Sequence, residues 1–347
     1  MTSNTETLAQ HVERLQRRGV IDMHFDMLMD LYEKRDRSGV LASDYWPEVS
    51  SGGMSVLGVT IYIEDRYLPE MGLRVALGQI ARLYEEVAAD PRFAICKSYA
   101  EIEAARLANQ IALLITMEGI EPLGNDLDML RVFYELGLRS LGLTHVRRNM
   151  AGEGGVFAPR GSSPQGLTAF GKALVQECER LGIMLDLAHL NPAGVDDVLA
   201  LTKKPVIISH SNPRRYYDME RNSSDENIRA VGKRGGVMGV NAVLVSAVQA
   251  EATLDRYVDH IEYVMELAGV DGVGIGFDFF DFIHRNLSEK QKAEVAAKLT
   301  TPNVLTDLST HAHAANLTRR LVERGYRDAD IEKILSGNWL RVFKELL

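Results

Sequence analysis

The feature that most constrains this chain is a repeated ending. Six short apolar runs, at 20–26, 111–118, 138–145, 182–189, 205–210 and 273–278, each stop at a histidine or an acid. Short apolar runs followed by turn residues read as buried parallel strands. His24, Asp26, Glu118, His145, His189, His210 and Asp278 then stand at strand ends. Histidines and carboxylates gathered at such ends are the material of a hydrolytic metal site.

Two more runs, 55–63 and 236–243, complete the set. Strands are expected near 20–27, 55–63, 111–118, 138–145, 182–189, 205–210, 236–243 and 273–279. Helical spacing falls between them. Apolar residues recur at helical intervals over 167–181, with Thr168 as N-cap. Pro192 opens a helix over 192–203, and Ser224 or Asp225 caps one that ends at Gly235. Further helices are expected over 254–268, 288–298 and 314–324. A final pair follows Asp328 and breaks at Gly337-Asn338.

Alternating strands and helices in a chain of 347 residues point to an α/β fold, a (β/α)8 TIM-type barrel. A doubly wound open sheet is the alternative. The polar endings arbitrate, because only a barrel brings the C-terminal ends of all its strands to one mouth. One domain over 1–347 is expected: an N-terminal helix over 1–19, the barrel over about 20–280, and C-terminal helices over about 285–347.

Charge and composition exclude several classes. A net charge of −9 argues against nucleic acid or an anionic membrane as partner. The segment 1–18 reads as a polar amphipathic helix without the apolar centre of a signal peptide. No run approaches the roughly 18 apolar residues of a membrane span. A soluble, cytoplasmic protein is therefore expected. Cys96 and Cys178 are the two cysteines, too few for a disulfide scaffold, and Cys178 shares an apolar helical stripe.

Among the strand endings, His24 and Asp26 are two apart and face the same way, so they can chelate one metal. His189 and His210 end consecutive strands, about 4.8 Å apart in a parallel sheet, and can share a second. Glu118 follows an uncharged run, and a buried carboxylate needs a partner or a metal; its two oxygens can bridge two ions. His145 stands between the two halves as ligand or hydrogen-bond donor. Asp278 is placed for proton transfer. Asp186, three residues before His189, faces away and reads as structural.

Other polar residues read as bland. His311 and His313 fall in an expected helix, where positions two apart do not face each other. His11, His260 and His284 are expected to face solvent. The glycines at 272, 274 and 276 lack a phosphate-loop context, and no Gly-x-Ser-x-Gly elbow is present.

The segments Asp22-Met-His-Phe-Asp26, Met117-Glu-Gly119, Leu143-Thr-His145, 182–189, 206–211, Glu220-Arg-Asn222, Gly235-Gly236, Gly276-Phe-Asp278 and 337–343 together resemble the renal (membrane) dipeptidase family of zinc peptidases. The resemblance covers about residues 20–345. It implies a dipeptidase with two zinc ions: one held by His24 and Asp26, one by His189 and His210, with Glu118 bridging. It implies that His145 contacts the scissile carbonyl, Arg221 the substrate's terminal carboxylate, and that Asp278 shuttles the proton. It leaves room for a D-residue at the C-terminal position and for a homodimer. Hydrolysis of another small amide or lactam, and a metal-binding barrel without hydrolysis, are the alternatives. Phe280 and Asp281 stand where the family has an acid and a glycine, and Ile120 where a second glycine is common. These changes concern the pocket's shape.

Overall fold

A computed structural model of the chain describes residues 6–157, 165–280 and 305–347, together with positions 289 and 293. The apolar runs form parallel strands: β1 Val20–Phe25, β2 Met54–Tyr62, β3 Phe93–Ile95, β4 Ile111–Glu118, β5 Leu138–Gly142, β6 Met184–Asp186, β7 Ile208–Ser211, β8 Met238–Val240 and β9 Val273–Ile275. The wall is laddered in two arcs, β1-β2-β4-β5-β6 and β7-β8-β9. A parallel bridge between Asp186 and Ile207 joins β6 to β7. Helices fill the crossovers, and the result is a (β/α)8 barrel.

The seam between β9 and β1 is held differently. Among the described residues no ladder joins these strands. Instead the buried Asp22 carboxylate accepts from the Phe277 backbone N–H at 2.9 Å and from the His24 N–H at 3.2 Å. Its other oxygen accepts from His311 Nε2 at 2.7 Å. Phe25, Phe277 and Phe279 pack edge-on around the His311 ring.

Burial explains why the runs lack polar alternation. Every residue of β4 is buried, because helices cover one face and the barrel interior the other. Leu113, Ile115 and Met117 pack outward in the main apolar cluster. Ala112 and Leu114 join an interior cluster with Val56, Met184, Ile207 and Trp339. The indole of Trp339, from the C-terminal helix Asn338–Leu346, donates to the Ile275 carbonyl at 3.0 Å. On the same inward column of β4, Thr116 and Glu118 follow Leu114 toward the other end.

Several strands are shorter than the apolar runs suggested. The runs 138–145, 182–189, 236–243 and 273–279 hold ladders only over 138–142, 184–186, 238–240 and 273–275. The run 205–210 pairs over 208–211. His189 and Asp278 adopt left-handed backbone, φ 62° and 60°, which no strand can continue. His24, Glu118 and His210 thus stand within the last residues of their strands, whereas Asp26, His145, His189 and Asp278 lie beyond theirs. The short strand β3 was not expected; it pairs with the N-terminal half of β4, before β5 takes over from Ile115.

Helix caps follow the sequence closely. Thr168 accepts from Gly171 N–H and Ser224 from Asn227 N–H, each opening its helix. Asn191 caps the helix that Pro192 begins. The N-terminal helix is Leu8–Gln16, opened by a Thr7–Gln10 capping box. Of the expected helix over 288–298 only positions 289 and 293 are described, both helical, and Asp281 and His284 lie outside the described residues.

Candidate metal centre

The mouth gathers residues from six strand endings. His24 Nε2 lies 3.7 Å from Asp26 Oδ1 and 3.8 Å from Asp278 Oδ1. Glu118 Oε1 lies 3.0 Å from His189 Nε2 and 3.3 Å from His210 Nε2. The two imidazole Nε2 atoms stand 3.0 Å apart. His24 and His210 stack with ring centroids 3.6 Å apart. Ligand atoms of His24, Asp26 and Glu118 lie within 4.8 Å of one another, as do those of Glu118, His145 and His189, and of His24, His210 and Asp278.

Asp26 Oδ1 and Glu118 Oε1 are buried without a hydrogen bond of acceptable geometry. Such atoms are costly unless something else satisfies them. Nitrogen and carboxylate donors at this spacing suit a divalent ion such as zinc. Behind the donors, Ser209 Oγ sits 2.8 Å from His210 Nδ1 and Thr60 Oγ1 3.3 Å from His24 Nδ1, fixing both rings.

The electrostatics follow from burial. Burial pushes the Glu118 carboxyl up to about 8, with Asp26 and Asp278 adding to the rise and His24 opposing it. Burial likewise raises Asp278 to about 6, against the pull of His24, Arg221 and a hydrogen bond from Asn241. His24 is driven the other way: burial disfavours its charge, but Asp26, Glu118 and Asp278 overcome this and lift it to about 10. Burial and the nearby guanidiniums of Arg147 and Arg221 lower His145 to about 3. Burial holds His189 and His210 well below the usual imidazole range. Neutral imidazoles are the form that binds metal.

Above the donors opens a cavity of about 240 Å³. Asp26, Glu118, His145, His189, Arg221 and Asp278 reach it from the barrel, and Met29, Phe157, Met219, Leu244 and Phe280 give it an apolar wall. Arg221 is buried; its Nη2 donates to the His210 carbonyl at 2.9 Å, and its Nη1 has no partner. Asn241 Nδ2 donates to Asp278 Oδ2 at 2.8 Å.

All the strand-end residues singled out in the sequence come together here, and Arg221 with them. Asp186 turns away and accepts from the Ala188 and Ser209 backbone N–H groups. Cys178 is a buried core thiol. Three expectations fail. His260 does not face solvent: it is fully buried, contacts Asn212 and the Val245 carbonyl, and stacks on Tyr216. An amphipathic helix turned its polar-looking position inward because Asn212 and a loop carbonyl were there to meet it. His11 is half-buried against Asp328. His311 and His313 lie on a short 3-10 turn rather than in the following α-helix, and His311 bonds Asp22. Tyr62, Arg147 and Asn241 escaped the sequence reading. Tyr62 was legible in principle: it is in register with Glu118 on the adjacent strand.

A parallel barrel with imidazoles and carboxylates gathered at its mouth is an arrangement that suits metal-assisted chemistry. Comparison with known proteins narrows this. The model of the membrane dipeptidase family, peptidase family M19, matches residues 8–301, and the chain belongs to that family. An uncharacterized dipeptidase of Schizosaccharomyces pombe is 32% identical over 289 residues, covering 81% of this chain and 65% of that protein. Dipeptidase 3 of Rattus norvegicus is 28% identical over 321 residues, 90% of this chain and 57% of that one. This chain therefore matches less than two thirds of either relative's length. The crystal structure of a family M19 metallopeptidase, dipeptidase AC, superposes with a TM-score of 0.83 at 27% identity, covering 94% of this chain and 98% of the other. A Rhodobacter sphaeroides metallopeptidase, solved with a phosphinate mimic of the dipeptide L-Ala-D-Ala, gives 0.83 at 25% identity, covering 95% and 99%.

Proposed function

We propose that this chain is a zinc dipeptidase with two ions at the barrel mouth. The observation that carries the reading is the pair of buried carboxylate oxygens on Asp26 and Glu118 that accept no hydrogen bond, set close beside the imidazoles of His24, His189 and His210. His24 and Asp26 would hold one ion and His189 and His210 the other, with Glu118 between them. When bound, such ions polarise the scissile carbonyl and make water a nucleophile near neutral pH.

The chain's own residues supply the rest. Arg221 is a buried cation with a free Nη1, and a substrate's terminal carboxylate satisfies it. His145 lines the cavity as a neutral donor to the carbonyl oxygen, where charge develops during attack. Asp278 takes the proton of the attacking water and delivers it to the departing amine. Asn241 holds the carboxylate in place for both transfers. The apolar wall favours dipeptides with apolar side chains. The Rhodobacter neighbour's L-Ala-D-Ala mimic supports tolerance of a D-residue at the second position.

Metal analysis and a substrate panel test the reading. Zinc-loaded protein should hold close to two equivalents and lose activity on chelation. Less than one tightly bound equivalent sinks the two-ion reading. Arg221→Ala should lower kcat/KM at least about tenfold for free dipeptides and much less for dipeptide amides. Equal losses on both would make Arg221 structural. Faster turnover of N-acyl amino acids or a β-lactam than of any dipeptide would transfer the reading to another amide.

A further inference from the structure

We infer that Tyr62 and Arg147 are positioning residues that decide which nitrogen of His145 carries its proton. The inference rests on reading His145 as the donor to the scissile carbonyl. A neutral imidazole has one N–H, on Nδ1 or on Nε2, and its other nitrogen accepts. Only the tautomer whose cavity-facing nitrogen is protonated can donate to a carbonyl oxygen.

The hydrogen bonds around Tyr62 select one tautomer. Its hydroxyl stands 3.4 Å from His145 Nδ1 and 3.3 Å from Arg147 Nη1. Arg147 has no acceptor, so the tyrosine oxygen must accept from it. The Tyr62 proton then needs an acceptor, and among the described residues His145 Nδ1 is the one in reach. If Nδ1 carried the proton instead, two donors would meet at the tyrosine oxygen and its own O–H would have no acceptor among the described residues. The chain of donors therefore runs from Arg147 to Tyr62 to His145 Nδ1. The imidazole proton is left on Nε2, for the cavity His145 lines.

Arg147 is fixed firmly enough to impose this direction. Its guanidinium donates to Asp65 Oδ1 at 2.5 Å, to the Ile63 carbonyl at 2.9 Å and to Glu121 Oε1 at 3.1 Å. Both carboxylates keep it charged, and it lies over the Tyr62 ring, 5.3 Å from the centroid. Burial raises the Tyr62 hydroxyl's pKa, so the phenol keeps its proton and remains a donor. The ring of Tyr62 meets that of His145 edge-on at 4.9 Å, which holds the imidazole plane.

The test joins a spectrum to kinetics on zinc-loaded protein. Histidine labelled with ¹⁵N, with His145 assigned by difference from His145→Gln, should show the proton on Nε2. In Tyr62→Phe the ring loses its selector and should populate both tautomers. The same change should follow in Arg147→Met, where Tyr62 is free to accept. Because a free imidazole still visits the productive tautomer, kcat in Tyr62→Phe should fall only about three- to tenfold. KM and zinc content should stay unchanged. A proton on Nδ1 in the native protein overturns the inference, as does an unaltered spectrum in both variants. The spectrum reads the tautomer whether or not dipeptides prove to be the substrate. Failure of the dipeptidase reading would show instead as absent turnover in native protein with the Nε2 proton in place.

Discussion

Two carboxylates on the first strand run, Asp22 and Asp26, are governed by opposite rules. Asp22, at the seam, is fully buried and both its oxygens are occupied: one by two backbone N–H groups, one by His311. Asp26, at the mouth, has a buried oxygen with no hydrogen bond, and Glu118 opposite has another. A buried polar group that serves the fold is satisfied within the fold. One that is left unsatisfied, beside others of its kind, is waiting for something from outside. The left-handed backbone at His189 and Asp278 belongs to the same side of this contrast, since strain gathers where function needs a particular aim.

The sharpest way to separate the two regions is to change the mouth without touching the seam. Asp278→Asn keeps the shape but removes proton uptake. Positioned acid–base groups are worth about 10²–10⁴-fold, so kcat should drop by that order while zinc content and thermal stability hold. Loss of a metal along with activity would reassign Asp278 as a ligand.

The reverse experiment strikes the seam. His311→Ala leaves the Asp22 carboxylate with one unpaired oxygen in an apolar setting. Breaking a buried pair from one side costs about 3–5 kcal/mol, and urea unfolding should show a loss at the low end of that range, because two backbone donors remain. His311→Gln, whose Nε2 can reach the same oxygen, should recover part of it. An unchanged midpoint in His311→Ala would mean that the Asp22–His311 pair does not hold the seam.

Glu118→Gln should divide the two roles of one residue. Burial raises the Glu118 pKa in the metal-free mouth. A group raised on folding gives stability below its unfolded value, about 4.3, and that stability is lost as pH climbs through the folded value. Metal-free native protein should therefore lose stability between about pH 4 and pH 8, and the glutamine variant should lose less. Zinc binding should weaken in the same variant. Identical melting curves above pH 7 would show that Glu118 is not strained by its burial.

The sequence declared the mouth more fully than the seam, and the reason is physical. Ligand candidates advertise themselves because a charge at the end of an apolar run breaks a pattern that β4 shows plainly. Asp22 breaks the same pattern, but its partner lies 289 residues away in the chain on a turn that no local rule connects to β1. His260 misled for a related reason: helical periodicity reports which face is inward only when that face is apolar throughout. The strand limits were blurred because apolar residues continue past the ladder into the turns that aim His189 and Asp278. Tyr62 and Asn241 are uncharged and act through another residue, so composition gave them no prominence.

Asn241 offers the finest probe of the mouth, and its sign can be worked out. Its Nδ2 donates to Asp278 Oδ2 at 2.8 Å, which stabilises the ionised carboxylate and lowers its pKa. Burial pulls the other way and prevails, so the native value lies above the ordinary carboxylate range. Asn241→Ala removes the lowering influence and leaves burial unopposed by it, so the pKa must rise. If the low-pH limb of kcat reports Asp278 as proton acceptor, that limb should move to higher pH. One neutral-to-charged hydrogen bond is worth roughly 1.5 kcal/mol, which corresponds to a displacement of about one unit. The plateau rate above the limb should change less, because the carboxylate is fully ionised there with or without its donor. A limb that stays fixed would assign the titration to another group, and a limb that moves to lower pH would mean that Asn241 had been opposing ionisation.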